Sequence, residues 1–564
     1  MYLNLKAKKE HTYDAIVIGT GITGGWAAKE LTEKGLKTLV LERGRNVEHV
    51  KDYPTAMKAP WQFEHRGRLT NKRKEEQSVQ SRSIFCNEET SHFFINDKEN
   101  PYTEAKRFDW IRGYQVGGRS LLWTRQCYRW SEMDFEANAK DGVEIDWPIR
   151  YQDIAPWYDY VEAFVGISGQ AENLPQLPDG IFLPPMEMTC LEKHVKQKME
   201  ARFPERKMIM GRTANLTKPH NGRGNCMYRG RCDRGCPYGA YFSSNAATLP
   251  AAAKTGNMVL RPHSIVNSII YDEKTGKAIG VRVIDAKTKE WIEFYARIIF
   301  VNASTLNSTF ILLNSTSSRF PNGLGNSSGV LGHHLMDHHG QIGFGNYEGF
   351  EDRYYYGRRP NGVYVPRFRN IKDKHPDFIR GYGMQGHSMR SNWERGNYSP
   401  GFGAQFKEDL TKPGPWQMLL VAFGECLPYY ENKVSLNHNV VDKWGQPTLT
   451  IDCEFKENEY AMRKDIAATT TEILETAGLK NVFAYAGEAY LGGAIHEMGT
   501  ARMGTDPKTS ILNKYNQVHE VPNVFVTDGA GMVSSACQNP SLTYMALTAR
   551  ACDYAVKELK KMNL

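Results

Sequence analysis

The sequence predicts an α/β chain with a glycine-marked βαβ core and a further, aromatic-rich domain. Three observations carry this prediction. The chain has 564 residues, more than one core fills when a domain holds roughly 100 to 200. Residues 14–18, Asp-Ala-Ile-Val-Ile, lead into Gly19, Gly21 and Gly24 and then an alanine-rich amphipathic stretch ending at Gly35. That order reads as strand, tight turn and helix. The stretch 340–455 is rich in Tyr, Trp, Arg and Gly, among them Tyr354, Tyr355, Tyr356, Trp393 and Trp416, as a sheet roofing an active site would be, although aromatics in a sheet are equally good core residues.

Composition excludes several classes. Hydrophobic residues make up 41% and charged residues 24%, as in a compact globular protein. The net charge of +8 comes from Lys and Arg interspersed with Asp and Glu, without the basic block that a nucleic acid would require. No run of about 18 apolar residues occurs, so no spanning helix is expected. The opening MYLNLKAKKEHTYD holds no apolar core of the length a secretory signal needs, which predicts a chain without its own export signal. Its ten cysteines are thinly spread except for one group, unlike a disulfide scaffold.

The first βαβ unit closes at Thr38–Leu41 and Glu42, about 30 residues after it begins. Its three glycines serve different ends. Gly19 permits the tight turn, Gly21 lets a pyrophosphate approach the backbone, and Gly24 lets helix and strand pack closely. Glu42 stands 23 residues after Gly19, where its carboxylate can accept from both ribose hydroxyls and repel a 2′-phosphate. The unit is Rossmann-like and suits an adenine dinucleotide. It does not separate FAD from NAD.

The remaining motifs lie further along the chain. Val116-Gly117-Gly118-Arg119-Ser120-Leu121-Leu122-Trp123 comes first, and residues 492–504 read GGAIHEMGTARMG around His496. Asn523 to Ala530 contains Asp528-Gly529, and Ala536 to Thr543 contains Asn539-Pro540. With the N-terminal turn, these four motifs resemble the glucose–methanol–choline (GMC) family of flavin oxidoreductases across nearly the whole chain, in particular its bacterial sugar-dehydrogenase and pyranose-oxidase branch.

The resemblance implies FAD, an alcohol substrate and hydride transfer to flavin N5. It makes His496 the base that receives the hydroxyl proton, and imidazole suits that role because its ordinary pKa lies nearest neutrality. The second member of the catalytic pair is carried onto Asn539, whose amide orients the substrate oxygen without titrating. Asn-Pro is also ordinary turn chemistry. Asp528 and Gly529 are placed beside the ribityl and pyrophosphate portion, and Gly117 and Gly118 where the loop passes the isoalloxazine. Some relatives bond a histidine covalently to the flavin at the position of Leu122; leucine predicts a non-covalent FAD.

Cys226, Cys232 and Cys236 fall within eleven residues. Three thiolates can grip one soft metal centre, and the run also resembles the loop of a three-iron cluster in FAD-dependent glucose dehydrogenases. The alternatives are reduced, metal-free thiols, a disulfide between two of them, or zinc. His334 and His338 stand four apart, as two ligands on one helix face would, yet the same stretch resembles a segment of this branch to which no metal is ascribed.

The resemblance further implies a Rossmann-like FAD-binding domain interleaved with a substrate domain built on an antiparallel sheet, with 1–150 as the first part of the FAD-binding domain and 151–255 as an excursion with the cysteine loop. Residues 256–339 return to the FAD-binding domain, 340–480 form the substrate-binding domain, and 481–564 are the C-terminal part with the catalytic residues. The expected activity is oxidation of a hydroxyl of a sugar, glycoside or polyol, with a non-oxygen electron acceptor. The rivals are an oxygen-using sugar oxidase and a flavin-binding electron-transfer subunit. A small companion subunit is implied by resemblance, and the chain is expected to stay cytoplasmic unless co-exported with it to the periplasm.

Overall fold

A computed structural model describes residues 12–355, 357, 359–397 and 399–564. The segment 1–11, read above for targeting, and Tyr356 lie outside the described residues.

The expected α/β architecture is present. Five parallel strands form its centre, in the order Met258–Arg261, Thr38–Leu41, Thr12–Ile18, Trp291–Val301 and Val524–Val526. The antiparallel strands Lys277–Asp285 and Ser264–Asp272 extend the sheet from the first half of Trp291–Val301. Strands covered on both faces read as continuous apolar runs. Thr38–Leu41 and Ile298–Val301 are buried at every position. Helix Ile22–Glu33 packs on Thr248–Lys254 and on the final helix Ser541–Lys560. This sheet therefore gathers residues from both ends of the chain and from its middle.

A second sheet is antiparallel throughout, in the order Lys480–Ala484, His339–Tyr347, Trp416–Gly424, Tyr382–Arg390, Val363–Val365 and Ile209–Met210. Its strands alternate buried and half-buried residues, as one-sided packing requires. Met384, Met418, Leu420 and Ala422 face helices Cys190–Arg202 and Glu457–Thr476. In the latter helix Met462, Ile466 and Ile473 fall on one stripe and are fully buried. Each such side chain contributes about 1.5–3 kcal/mol of apolar burial. The opposite face of this sheet carries Gln385 and Phe423 and lies over the C-terminal loops.

Candidate active site

The glycine turn is tight and leaves open space at the head of its helix. Gly19 has φ +98°, and a Cβ there would lie 2.3 Å from the Asn302 carbonyl oxygen. A Cβ on Gly24 would lie 2.1 Å from the Gly19 carbonyl oxygen, which is why strand and helix can approach there. A Cβ on Gly21 would meet no protein atom within 4 Å, so that backbone faces open space at the head of the helix. Gly117 and Gly118 both have positive φ, and a Cβ on Gly118 would stand 3.3 Å from Gly21 Cα. Gly117 N donates to Thr20 Oγ1 at 3.0 Å, joining the two loops into one cradle.

Glu42 closes the cradle at the end of its strand. Its carboxylate accepts from Thr20 N at 3.2 Å, from the Thr20 hydroxyl, and from Gly44 N at 2.9 Å. A carboxylate offers about four lone-pair sites, so acceptor capacity remains for a ribose. Burial raises its pKa, while these donors pull it down. Asp528 accepts from Ala530 N at 3.0 Å and from the Ser308 hydroxyl at 2.5 Å, and burial pushes its carboxyl up to about 6. A Cβ on Gly529 would collide with the Glu497 carbonyl oxygen at 2.3 Å, so segments 497–503 and 528–531 lie side by side. Glycines that admit a ligand at the helix head, a carboxylate with spare acceptor sites and a paired-glycine loop fit the FAD implied by the family.

His496 and Asn539 come together from distant loops. Asn539 Nδ2 donates to His496 Nε2 at 3.3 Å, and Gln385 Nε2, from the overlying sheet, donates to Asn539 Oδ1. Phe423 of the same sheet stands beside His496, with ring centroids 5.6 Å apart. His496 is half-buried, and burial, neighbouring His338 and Arg119 hold its pKa well below the ordinary histidine value. It is therefore unprotonated at neutral pH. Arg119 is clamped by Glu497 through bonds of 2.9 and 2.7 Å, which keeps its charge paired one residue from His496.

Sequence reasoning misses Asp337, His338 and Gln385 in this cluster. Asp337 is fully buried and accepts from four backbone amides: His338 at 2.8 Å, His496 at 2.9 Å, Gly492 at 2.8 Å and Ala494 at 3.2 Å. It thereby shapes the loop that presents His496. The helical spacing of His334 and His338 is misleading. No helix forms there, His334 has φ +63°, its Nδ1 donates to the Pro428 carbonyl at 3.0 Å, and His338 turns to His496.

The cysteine loop is separate from this cluster. None of the ten cysteines is in a disulfide, and Cys226, Cys232 and Cys236 are half-buried. Burial first, then the neighbouring Cys232 and Cys236, pushes the Cys226 thiol up to about 11. Among the described residues no group of three His, Cys, Asp or Glu side chains is arranged to hold a metal ion. The loop as placed does not fit an iron–sulfur cluster. Among the described residues no helix is long and apolar enough to cross a membrane. Leu122 is half-buried against Tyr53, Phe93 and Ile111.

Fold and site together define an FAD-dependent oxidoreductase acting on CH–OH groups. The chain belongs to the GMC oxidoreductase family, whose N-terminal profile matches residues 13–340 and whose C-terminal profile matches residues 428–548. It is 30% identical to 2-methyl-1,2-propanediol dehydrogenase of Mycolicibacterium austroafricanum, covering 78% of this chain and 80% of the relative. It is 25% identical to the fructose dehydrogenase large subunit of Gluconobacter japonicus over 97% and 98% of the two chains. Formate oxidase of Aspergillus oryzae RIB40 shares the fold, with a TM-score of 0.62, 14% identity and coverage of 98% of this chain and 100% of that chain.

Proposed function

We propose that this chain is a dehydrogenase that oxidises a hydroxyl of a sugar, glycoside or polyol, with His496 as base and a non-oxygen acceptor for the electrons. The observation that supports this most is the His496–Asn539 pair, 3.3 Å apart under Gln385 and next to the glycine cradle. FAD, when bound, supplies the acceptor for the hydride. The protein's own part is to hold the alcohol oxygen between His496 Nε2 and Asn539 Nδ2 and to take its proton at Nε2. A base with a depressed pKa stays ready through mildly acidic solution. Gln385 and Phe423 would face the substrate from above, a polar and an aromatic group suited to a ring with hydroxyls on its edge and apolar faces.

The dehydrogenase reading draws on relatives named for a diol and for fructose, and on a gluconate 2-dehydrogenase flavoprotein of Pantoea cypripedii at 23% identity. Leu122 supports a non-covalent FAD, having no group that could bond it. The large-subunit relative supports a companion subunit, together with which the chain would reach the periplasm. An oxidase is the second reading, supported by the paromamine 6′-oxidase of Streptomyces fradiae at 23% identity.

The test is an anaerobic visible spectrum of the purified holoprotein with glucose, methyl β-D-glucoside, fructose or a polyol, with peroxide and iron measured on the same sample. Bleaching of the flavin without peroxide in air supports a dehydrogenase, and bleaching with peroxide supports the oxidase. No bleaching by any of them defeats the substrate assignment. Iron bound in stoichiometric amount would return Cys226, Cys232 and Cys236 to a cluster.

A further inference from the structure

We propose that His338 is a positioning residue that fixes which nitrogen of His496 is bare, through a chain of two imidazoles anchored on a backbone carbonyl. This rests on the reading of His496 as the base. At the buried end of that chain, His338 is 1% exposed, and its Nε2 lies 2.9 Å from the Ala536 carbonyl oxygen and 3.2 Å from that of Ser535. Both neighbours can only accept, so Nε2 must carry the hydrogen. A neutral imidazole with its hydrogen on Nε2 has a bare Nδ1.

That bare Nδ1 stands 2.9 Å from His496 Nδ1. Two bare nitrogens would repel, so His496 Nδ1 carries a hydrogen and donates it to His338. His496 Nε2 is then the nitrogen without one, and it faces Asn539. The amide agrees from the other side. Gln385 donates to Asn539 Oδ1, which leaves Asn539 Nδ2 as the donor toward His496 Nε2. Both imidazole hydrogens are placed by the carbonyl end of the row, which leaves His496 Nε2 able to take a proton.

The partner is neutral, which sets this row apart from a base backed by a carboxylate. When His496 Nε2 takes the hydroxyl proton, the new positive charge stays on His496 and its Nδ1 hydrogen remains bonded to His338. The charged groups around it are Arg119, its partner Glu497, and Asp337, whose carboxylate holds the His496 backbone and not its ring. Tyr544, whose hydroxyl donates to the Glu497 carbonyl at 3.4 Å, and Asp528 complete the titratable surroundings. No carboxylate among them bonds the His496 ring.

Two replacements separate positioning from packing. H338Q keeps one acceptor and one donor, whereas H338L keeps bulk and loses both. With holoprotein and methyl β-D-glucoside as the probe, rapid mixing without oxygen should show H338Q reducing its flavin within about tenfold of wild type. H338L should fall by at least about a hundredfold in the limiting rate, with little change in half-saturation. A wrong tautomer in the serine-protease triad costs about 10⁴ in kcat, so a loss of this size is in range. Flavin content and melting temperature confirm that each variant is folded. H338L reducing at the wild-type rate, or H338Q failing as badly as H338L, overturns the proposal.

Neutron diffraction from deuterated wild-type crystals reads the same point without turnover. A deuteron on His338 Nε2 and His496 Nδ1, with His496 Nε2 bare, supports the proposal; a deuteron on His496 Nε2 overturns it. If the probe leaves wild-type flavin oxidised, the substrate assignment fails while the neutron map still decides the tautomer.

Discussion

Replacing Asp337 by asparagine removes one oxygen from a carboxylate that four backbone amides share. Two amides bond each oxygen: His338 and His496 on Oδ1, and Gly492 and Ala494 on Oδ2. In D337N one oxygen becomes an NH2 group that faces two N–H donors. Two charge-assisted bonds are lost at about 1.5–3 kcal/mol each, so the loss is about 3–6 kcal/mol. Burial and the charge of Glu497 push the Asp337 carboxyl up to about 7, and the amides pull against them. Because all four of these partners are donors, a protonated carboxyl would have nowhere among them to place its hydrogen, so the geometry favours the ionised form. Thermal unfolding of the holoprotein at pH 8 should show D337N melting roughly 3–5 °C lower, given about 2.1 cal/mol/K of unfolding entropy per residue over 564 residues. Flavin reduction should slow with it, because the His496 backbone loses its anchor. A melting point within about 1 °C of wild type, with an unchanged reduction rate, would mean that the carboxyl does not hold this loop.

The glycine turn predicts a split between two neighbouring substitutions. G24A forces a Cβ to 2.1 Å from a backbone oxygen, so the apoprotein itself should lose stability, read by denaturant unfolding. In G21A the new methyl meets no protein atom within 4 Å, so apoprotein stability should hold while FAD affinity falls, read by flavin titration. A third prediction concerns acid. His338 has its folded pKa held at about 4 by burial, below the ordinary value near 6.5. The folded state then binds fewer protons, so stability is full above pH 6.5 and is lost as pH falls from there towards 4. Full displacement is worth about 3 kcal/mol, and His92 and His334, also near 4, act in the same direction. Asp337 and Asp528, raised by burial to about 7 and about 6, act in the opposite direction, so the His338 share is read as the difference in melting temperature between wild type and H338Q, and a difference that does not change between pH 7 and 5 would contradict it.

The α/β fold is legible in the sequence because its signals are local. The strand before Gly19, the spacing to Gly24 and the acid at Glu42 all lie within one βαβ unit, where period and turn chemistry apply directly. Family motifs carry the reading to His496 and Asn539. What stays hidden depends on contacts between distant segments. His338 meets His496 across 158 positions, and Gln385 meets Asn539 across 154, separations on which no periodicity reports. The paired histidines at 334 and 338 even suggest the wrong element, since four-residue spacing implies a helix that the left-handed His334 does not permit. Asp337 carries no local signal, because its partners are backbone amides that every residue possesses. One clue was the density of polar residues in Gly332 to His339, a stretch that is almost entirely buried.

The most direct test of the central claim is anaerobic flavin reduction by H496A beside wild type, with a sugar or polyol that bleaches the wild-type flavin. A general base typically contributes about 10²–10⁴ in rate. With His496 as that base, H496A should retain its FAD spectrum and melting temperature while its reduction rate falls by at least a hundredfold, within that range. H496A that binds FAD and is reduced by the same substrate at the wild-type rate would contradict it.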